Sequence, residues 1–285
     1  MKSILTAPFF ALLTCSLAKG ATSLLLSEAV TTPTSDEFFE IYNPTNATIN
    51  LDNYYVSDDE DYALLAGASG AGPAPSIGLS DFVVQFPAGS SILPGGVQVV
   101  AFDGASFSTT FAQAPDYEIF GTDVTVTDMI STNVGASAGF TNSGESLVLF
   151  YWDGNSDLVA DIDMVNLGTP SASNDIGNKS GLSVDGPDAG TDSSTYANDA
   201  QTMPLQSSDP GFGFSTKRIR LEDGFQVSSG GNGLFGDDET TENIALTWDS
   251  SFTAPTPGSV ALVPEPSVSG LAMVGLMSLV ARRRR

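Results

Sequence analysis

Apolar and polar positions alternate with a period of two through residues 37–42: Phe39 and Ile41 fall on one side, and Phe38, Glu40 and Tyr42 on the other. That alternation predicts a half-buried strand over Glu37–Tyr42. Asn43-Pro44-Thr45 ends it, because proline has no N–H to give a ladder and Asn and Thr favour a turn. Shorter runs follow at Thr48–Leu51 and Tyr54–Ser57, the second leaving through Asp58 and Asp59. Three short strands joined by polar turns predict an antiparallel sheet.

The same reading places strands at Ser23–Val30, Phe82–Phe86, Val97–Phe102, Ser146–Trp152, Leu158–Val165, Ser215–Arg220 and Ile244–Trp248, and no stretch of the body sustains a helical period. Many short strands, each with an apolar side to cover, predict an all-β sandwich of two packed sheets spanning 21–258. From Leu167 to Gly211 the chain is polar and acidic, which predicts a long surface insertion at about 168–211. Residues 66–80 read as a shorter loop of the same kind.

Both ends differ from the body. Lys2, an apolar stretch from Ile4 to Leu17 and small residues near Ala18–Ala21 have the order of a secretory signal helix over 1–20, which predicts export. Thr14 before Cys15 fits a lipidation pattern poorly, so the cysteine reads as a bystander. In the tail, 259–285, Pro264-Glu265-Pro266 precedes an apolar run, Val268–Ala281, and then Arg282, Arg283, Arg284 and Arg285. Fourteen helical residues span about 21 Å, short of the roughly 30 Å hydrocarbon core. Such a helix holds an exported chain at the inner membrane transiently, with its arginines on the cytoplasmic side.

Composition then removes whole classes of function. The 285 residues carry a net charge of −24, and six of the ten basic residues lie at the two ends. Between Ala21 and Val263 four basic residues face 33 acidic ones, a net of −29 that repels nucleic-acid phosphates and excludes nucleic acid as a partner. There is no histidine, and the single cysteine is Cys15. The body therefore has no disulfide, no zinc finger and no Cys-His or Ser-His-Asp catalysis. Gly135-Ala136-Ser137-Ala138-Gly139 spells a nucleophile elbow, but without a histidine base it reads as a small-residue loop.

Carboxylates are what remains for chemistry. Asp153, Asn155 and Asp157 alternate as at the start of a calcium loop, while Leu158 and Met164 occupy the places of its turning glycine and closing glutamate, so an EF-hand is excluded. With Asp161 and Asp163 nearby, these five side chains read either as calcium ligands at a hairpin tip or as a solvated acidic turn. Asp58, Asp59, Glu60 and Asp61 carry the same two readings. Paired carboxylates also permit glycoside hydrolysis, although nothing in the sequence sets two of them across a cleft. Lys217, Arg218 and Arg220 form the body's basic cluster, either exposed charges answering an acidic surface or a contact for an anionic polysaccharide; Arg218 and Arg220 share one strand face and Lys217 and Ile219 the other.

Two family resemblances rest on these residues. The body resembles the lamin-tail domain, an immunoglobulin-like β-sandwich, through five pieces in order: LLLSEAV at 24–30, EFFEIYNPT with the following YYVSDD, FPAGSSILPGGVQVVAFDG at 86–104, TNSGESLVLFYWDGNSDLVADIDM at 141–164, and STKRIR at 215–220 with APTPGS at 254–259. It departs from the family in its acidic segment 168–211 and in Tyr54-Tyr55 where a tryptophan is usual. The resemblance implies a non-catalytic adhesion, scaffold or accessory module that needs no cofactor. In that setting Glu40 is a structural partner for backbone or hydroxyl groups. The tail is similar to the PEP-CTERM sorting signal of Gram-negative bacteria. That implies recognition by an exosortase-type membrane enzyme, processing near Pro264-Glu265-Pro266, and delivery to the cell surface or an extracellular polysaccharide matrix, where polysaccharide or surface proteins are the partners.

Overall fold

A computed structural model describes residues 23–70, 72–142, 144–168, 179–197, 210–221, 231–234, 244–252 and 254–260. The expected signal segment at 1–20, Pro264-Glu265-Pro266 with Arg282–Arg285, and residues 169–178 and 198–209 of the acidic segment lie outside them. The first half holds strands β1 (Leu25–Val30), β2 (Phe38–Tyr42), β3 (Ile49–Asn50), β4 (Tyr54–Ser57), β5 (Phe82–Gln85), β6 (Ser91–Ile92) and β7 (Val97–Ala101), then helix α1 (Gly104–Phe111). After it come β8 (Tyr117–Glu118), β9 (Thr127–Asp128), β10 (Ile130–Val134), β11 (Gly144–Tyr151), β12 (Ala160–Gly168), β13 (Ser183–Val184), β14 (Ser194–Thr195), β15 (Ser215–Arg218), the short α2 (Ile244–Thr247) and β16 (Trp248–Phe252). Short 3-10 helices occupy Thr34–Asp36 and Glu60–Ala68.

The fold is all-β in its framework. One sheet runs β16-β15-β1-β2-β7-β8-β9 and the other β10-β5-β4-β11-β12. Pairing is antiparallel except where β8 joins β7 and β9 joins β8. The two sheets enclose one apolar core, in which Leu26, Phe39, Ile41 and Val100 from the first meet Val56, Phe82, Leu149 and Val165 from the second. The period-two reading of β2 holds: Phe39 and Ile41 enter this core, while Phe38 turns to the outer face against Phe107 and Phe111, ring centroids 5.3 and 5.4 Å away.

Three expectations need correction. α1 was invisible because Gly104, Ser106, Ser108 and Thr109 are indifferent helix formers. It forms because Asp103 caps it, accepting from the Ser106 N–H at 2.9 Å, and because Phe107 and Phe111 share a face that covers the outer side of the seven-stranded sheet. Ile244–Thr247 is a helical turn, and the strand begins only at Trp248, which lies opposite Arg218 and beneath its guanidinium. The loop expected at 66–80 begins inside the 3-10 helix, which buries Tyr62, Ala63 and Leu65 on the outer face of the five-stranded sheet.

The described part of the acidic segment, 179–197, is mostly exposed but anchored at points: Lys179, Val184 and Tyr196 are buried, and Val184 and Tyr196 join Tyr62, Phe150 and Met164 in a second apolar cluster. The Tyr196 hydroxyl donates to the Ala63 carbonyl at 2.8 Å and accepts from the Val159 N–H at 3.0 Å. One buried aromatic with a satisfied hydroxyl anchors a stretch whose composition is otherwise that of a loop.

Candidate functional site

Strand β12 decides where the acidic residues go. Asp161 and Asp163 lie two apart and in a regular strand share a face. A bulge breaks the β11–β12 register, so Phe150 pairs with Asp161 and Leu149 with Asp163. Ile162 and Asp163 then both face the space between the sheets, and Asp161 faces outward. Each aspartate meets its own cation. Arg218 Nη2 donates to both Asp163 oxygens, at 2.6 and 2.8 Å, and Lys179 Nζ donates to Asp161 Oδ2 at 2.6 Å. Asp161 Oδ1 also accepts from the Tyr62 hydroxyl at 2.7 Å.

The five predicted calcium ligands therefore do not converge. Asp153 and Asn155 are exposed, and Asp153 accepts from the N–H groups of Asn155 and Ser156, an arrangement that closes the turn on itself and holds its carboxyl below the usual range. Asp157 turns away from them, accepting from the Gly186 N–H at 2.8 Å and the Ser194 hydroxyl at 2.6 Å, which lower its pKa. Its carboxylate neighbours are Asp185 and Asp188. The three have oxygens all within 4.8 Å of one another.

Two of the three residues of the basic cluster are withdrawn from the surface. Lys217 and Arg218 alternate across β15 as the sequence predicts, but both are buried, while Arg220, past the end of the strand, is exposed. Lys217 lies on the outer face, 3.5 Å from Glu28 and 4.7 Å from the Phe252 ring centroid, and donates to the Ala254 carbonyl and the Thr256 hydroxyl. Across the sheet Glu28 faces Glu40, whose pKa is raised well above the usual range by burial and then by Glu28. Glu40 accepts from the Gly258 N–H at 2.6 Å and the Ser27 hydroxyl at 3.3 Å, a structural role. Glu28 accepts from the Thr256 N–H at 3.0 Å. Residues 254–258 are thus clamped to the body immediately before the tail.

A second concentration of acid lies at one end of the five-stranded sheet. Asp59, Glu60, Ser80, Asp81 and Thr141 line a cleft of about 380 Å³. Its rim is held by backbone bonds from the small-residue loop, Gly135 N–H to the Asp81 carbonyl and Gly139 N–H to the Ser80 carbonyl, both 2.9 Å. Asp59 accepts from the N–H groups of Asp61 and Gly78, at 2.7 and 3.0 Å. The Asp59 and Asp81 carboxyls are raised, chiefly by burial, and Glu60 is raised for the same reason.

Behind this rim three carboxyls are almost wholly buried. Asp58, 1% exposed, accepts from the Phe82 N–H at 2.7 Å through one oxygen, while Oδ2 has no hydrogen-bond partner. Glu145 accepts from the N–H groups of Thr141 and Ser146, both at 3.1 Å. Glu37 accepts from the Phe140 N–H at 3.1 Å and leaves Oε1 unpartnered. Burial, then the charges of Glu145 and Asp81, push Asp58 well above the usual carboxylate range. Burial pushes Glu37 up to about 8, with Glu145 adding to it and the Phe140 N–H and Thr34 hydroxyl opposing. No described cation acts on either group.

No protein-family model and no curated protein sequence matches the chain. Among solved structures it is similar to a DUF4876 family protein from Bacteroides thetaiotaomicron, at 14% identity and a TM-score of 0.45, over 84% of this chain and 75% of that one.

The sequence pointed to Asp58–Asp61 as an acidic exit from a strand, and Asp59 and Glu60 of that cluster line the cleft. It gave no sign of Asp81, Glu145 or Glu37, which arrive from other strand ends. Likewise Asp185 and Asp188 reach Asp157 only because Val184 and Tyr196 dock their segment.

Proposed function

We propose that this chain is a non-catalytic structural or interaction protein, exported and delivered to the cell surface or exopolysaccharide matrix by an exosortase-type system, with a lamin-tail-like, immunoglobulin-like sandwich as its body. The observation that carries the reading is the order Pro264-Glu265-Pro266, apolar run, Arg282–Arg285. It is supported by the clamp on 254–258, which fixes the root of the tail to the body. The bonding of the acidic side chains supports a non-catalytic role: Asp161, Asp163, Glu28 and Glu40 hold cations, hydroxyls or backbone N–H groups in place. The short apolar helix inserts in the membrane only until the tail is processed. Fractionating source cells and weighing the mature chain tests this. A surface-associated chain lacking Arg282–Arg285, retained at the membrane when Pro264, Glu265 and Pro266 are replaced by alanine, is expected; a cytoplasmic chain with its arginines intact overturns it.

A second reading, a calcium-dependent glycan-binding or adhesion module, is favoured by the approach of Asp157, Asp185 and Asp188. Polysaccharide retention that chelator abolishes supports it, and retention indifferent to chelator removes it.

A further inference from the structure

Three buried carboxyls and a cleft rimmed by three more meet at one end of the five-stranded sheet, and two of the buried oxygens have nothing to bond. Asp58 follows β4, Asp81 precedes β5 and Glu145 opens β11, three adjacent strands of one sheet. β4 pairs with both β5 and β11, and Asp58 accepts from the N–H of Phe82, the residue next to Asp81. This Oδ1 bond anchors Asp58, while its sequence neighbours Asp59 and Glu60, and Asp81 beside Phe82, line the cleft. A carboxylate taken out of water requires hydrogen bonds, a proton or a cation. Asp163 and Asp161 have their cations; Asp58 Oδ2 has neither a cation nor a donor.

We propose that a divalent cation of the calcium class binds at this sheet end, with Asp58 Oδ2, Asp81 and Glu145 as its carboxylate ligands and Asp59 and Glu60 at its mouth. Calcium takes six to eight oxygens at flexible geometry, from carboxylates, backbone carbonyls and water, which matches a site built only of oxygen donors. The cleft supplies the entry path and room for the waters. Ligation requires the carboxylates to draw together, since among the described residues only Asp157, Asp185 and Asp188 already stand within 4.8 Å of one another. Asp81, only half-buried on the loop that leads into β5, is the ligand that turns. Glu37 Oε1 is a second buried carboxyl oxygen without a hydrogen-bond partner. This site is separate from the Asp157 loop, and its calcium would brace strand ends as a structural ion.

The test is calcium titration of the full chain, purified in chelator, read by melting temperature and by bound calcium at equilibrium. A saturable rise in melting temperature with a midpoint of about 10⁻⁴–10⁻³ M is expected. Asp58→Asn keeps an acceptor for the Phe82 N–H and removes the unpartnered charge. It should melt at or above the parent in chelator, below the parent in saturating calcium, and bind calcium at least about tenfold more weakly. Glu145→Gln gives the same crossing of the two curves and stands in if the first variant fails to fold. A response that survives both variants but is lost in Asp188→Asn overturns the proposal and assigns the ion to the Asp157 loop. No saturable response in the parent overturns both calcium readings and leaves surface delivery standing.

Discussion

Arg218 on β15 and Asp163 on β12 join the two sheets through the middle of the core, with Nη2 donating to both carboxylate oxygens at 2.6 and 2.8 Å. The backbone of Leu26 completes the contact, its N–H donating to Asp163 at 2.6 Å and its carbonyl accepting from Arg218 Nε at 2.9 Å. Leu26 is available because the β1–β2 register breaks between Leu26 and Glu28 and the β1–β15 ladder starts only at Glu28. The pair fixes how one sheet sits over the other, since its geometry is met at one relative placement.

Removing one partner leaves a buried charge alone. Arg218→Met should lower unfolding free energy by about 3–5 kcal/mol, measured by urea denaturation. The double variant Arg218→Met with Asp163→Leu should regain most of that loss, because apolar replacement removes both desolvation costs. Equal losses in the single and double variants would show that the pair's electrostatics do not hold the sheets together.

Lys179→Met should cost a similar amount, about 3–5 kcal/mol, by stranding Asp161. It should also open 179–197 to protease. Unchanged stability would show that the ion pair does not anchor the segment.

Glu37 predicts a pH dependence with a definite sign. Its folded pKa of about 8 exceeds the ordinary 4.5, so the folded state binds the proton more tightly. Its contribution is full below pH 4.5 and is lost as pH rises through about 8, a change on the order of a few kcal/mol. Glu37→Gln keeps the acceptor for Phe140 and should flatten that part of the stability profile, measured in chelator so that cations do not intrude. A variant whose profile still tracks the parent between pH 5 and 8 would assign the titration elsewhere.

Gly258 has φ +84° in a Pro-Gly turn closed by the Ser259 N–H to the Thr256 carbonyl, while its own N–H bonds Glu40. Gly258→Val should cost about 1–2 kcal/mol and release 254–260 to limited proteolysis. Proteolysis at the parent rate would mean that the clamp on the root of the tail does not depend on this turn.

The sequence alone determined the strands with a clean alternation, because burial of one face imposes a period of two that survives any tertiary arrangement; β2 and the Lys217/Arg218 alternation of β15 follow it directly. It also determined the exclusions, since chemistry that needs histidine or a body thiol cannot be supplied by folding. It did not determine the pairing of charges. Asp161 and Asp163 part because one bulge inserts a residue into β12, and Lys217 and Arg218 are buried because the carboxylates that neutralise them come from β1 and β12. α1 and the segment at 179–197 form through Phe107, Phe111, Val184 and Tyr196 docking on sheet faces that only the assembled fold creates. Local pattern records which face of a strand is apolar; which charge meets which depends on register and on contacts distant in sequence, and those the tertiary structure decided.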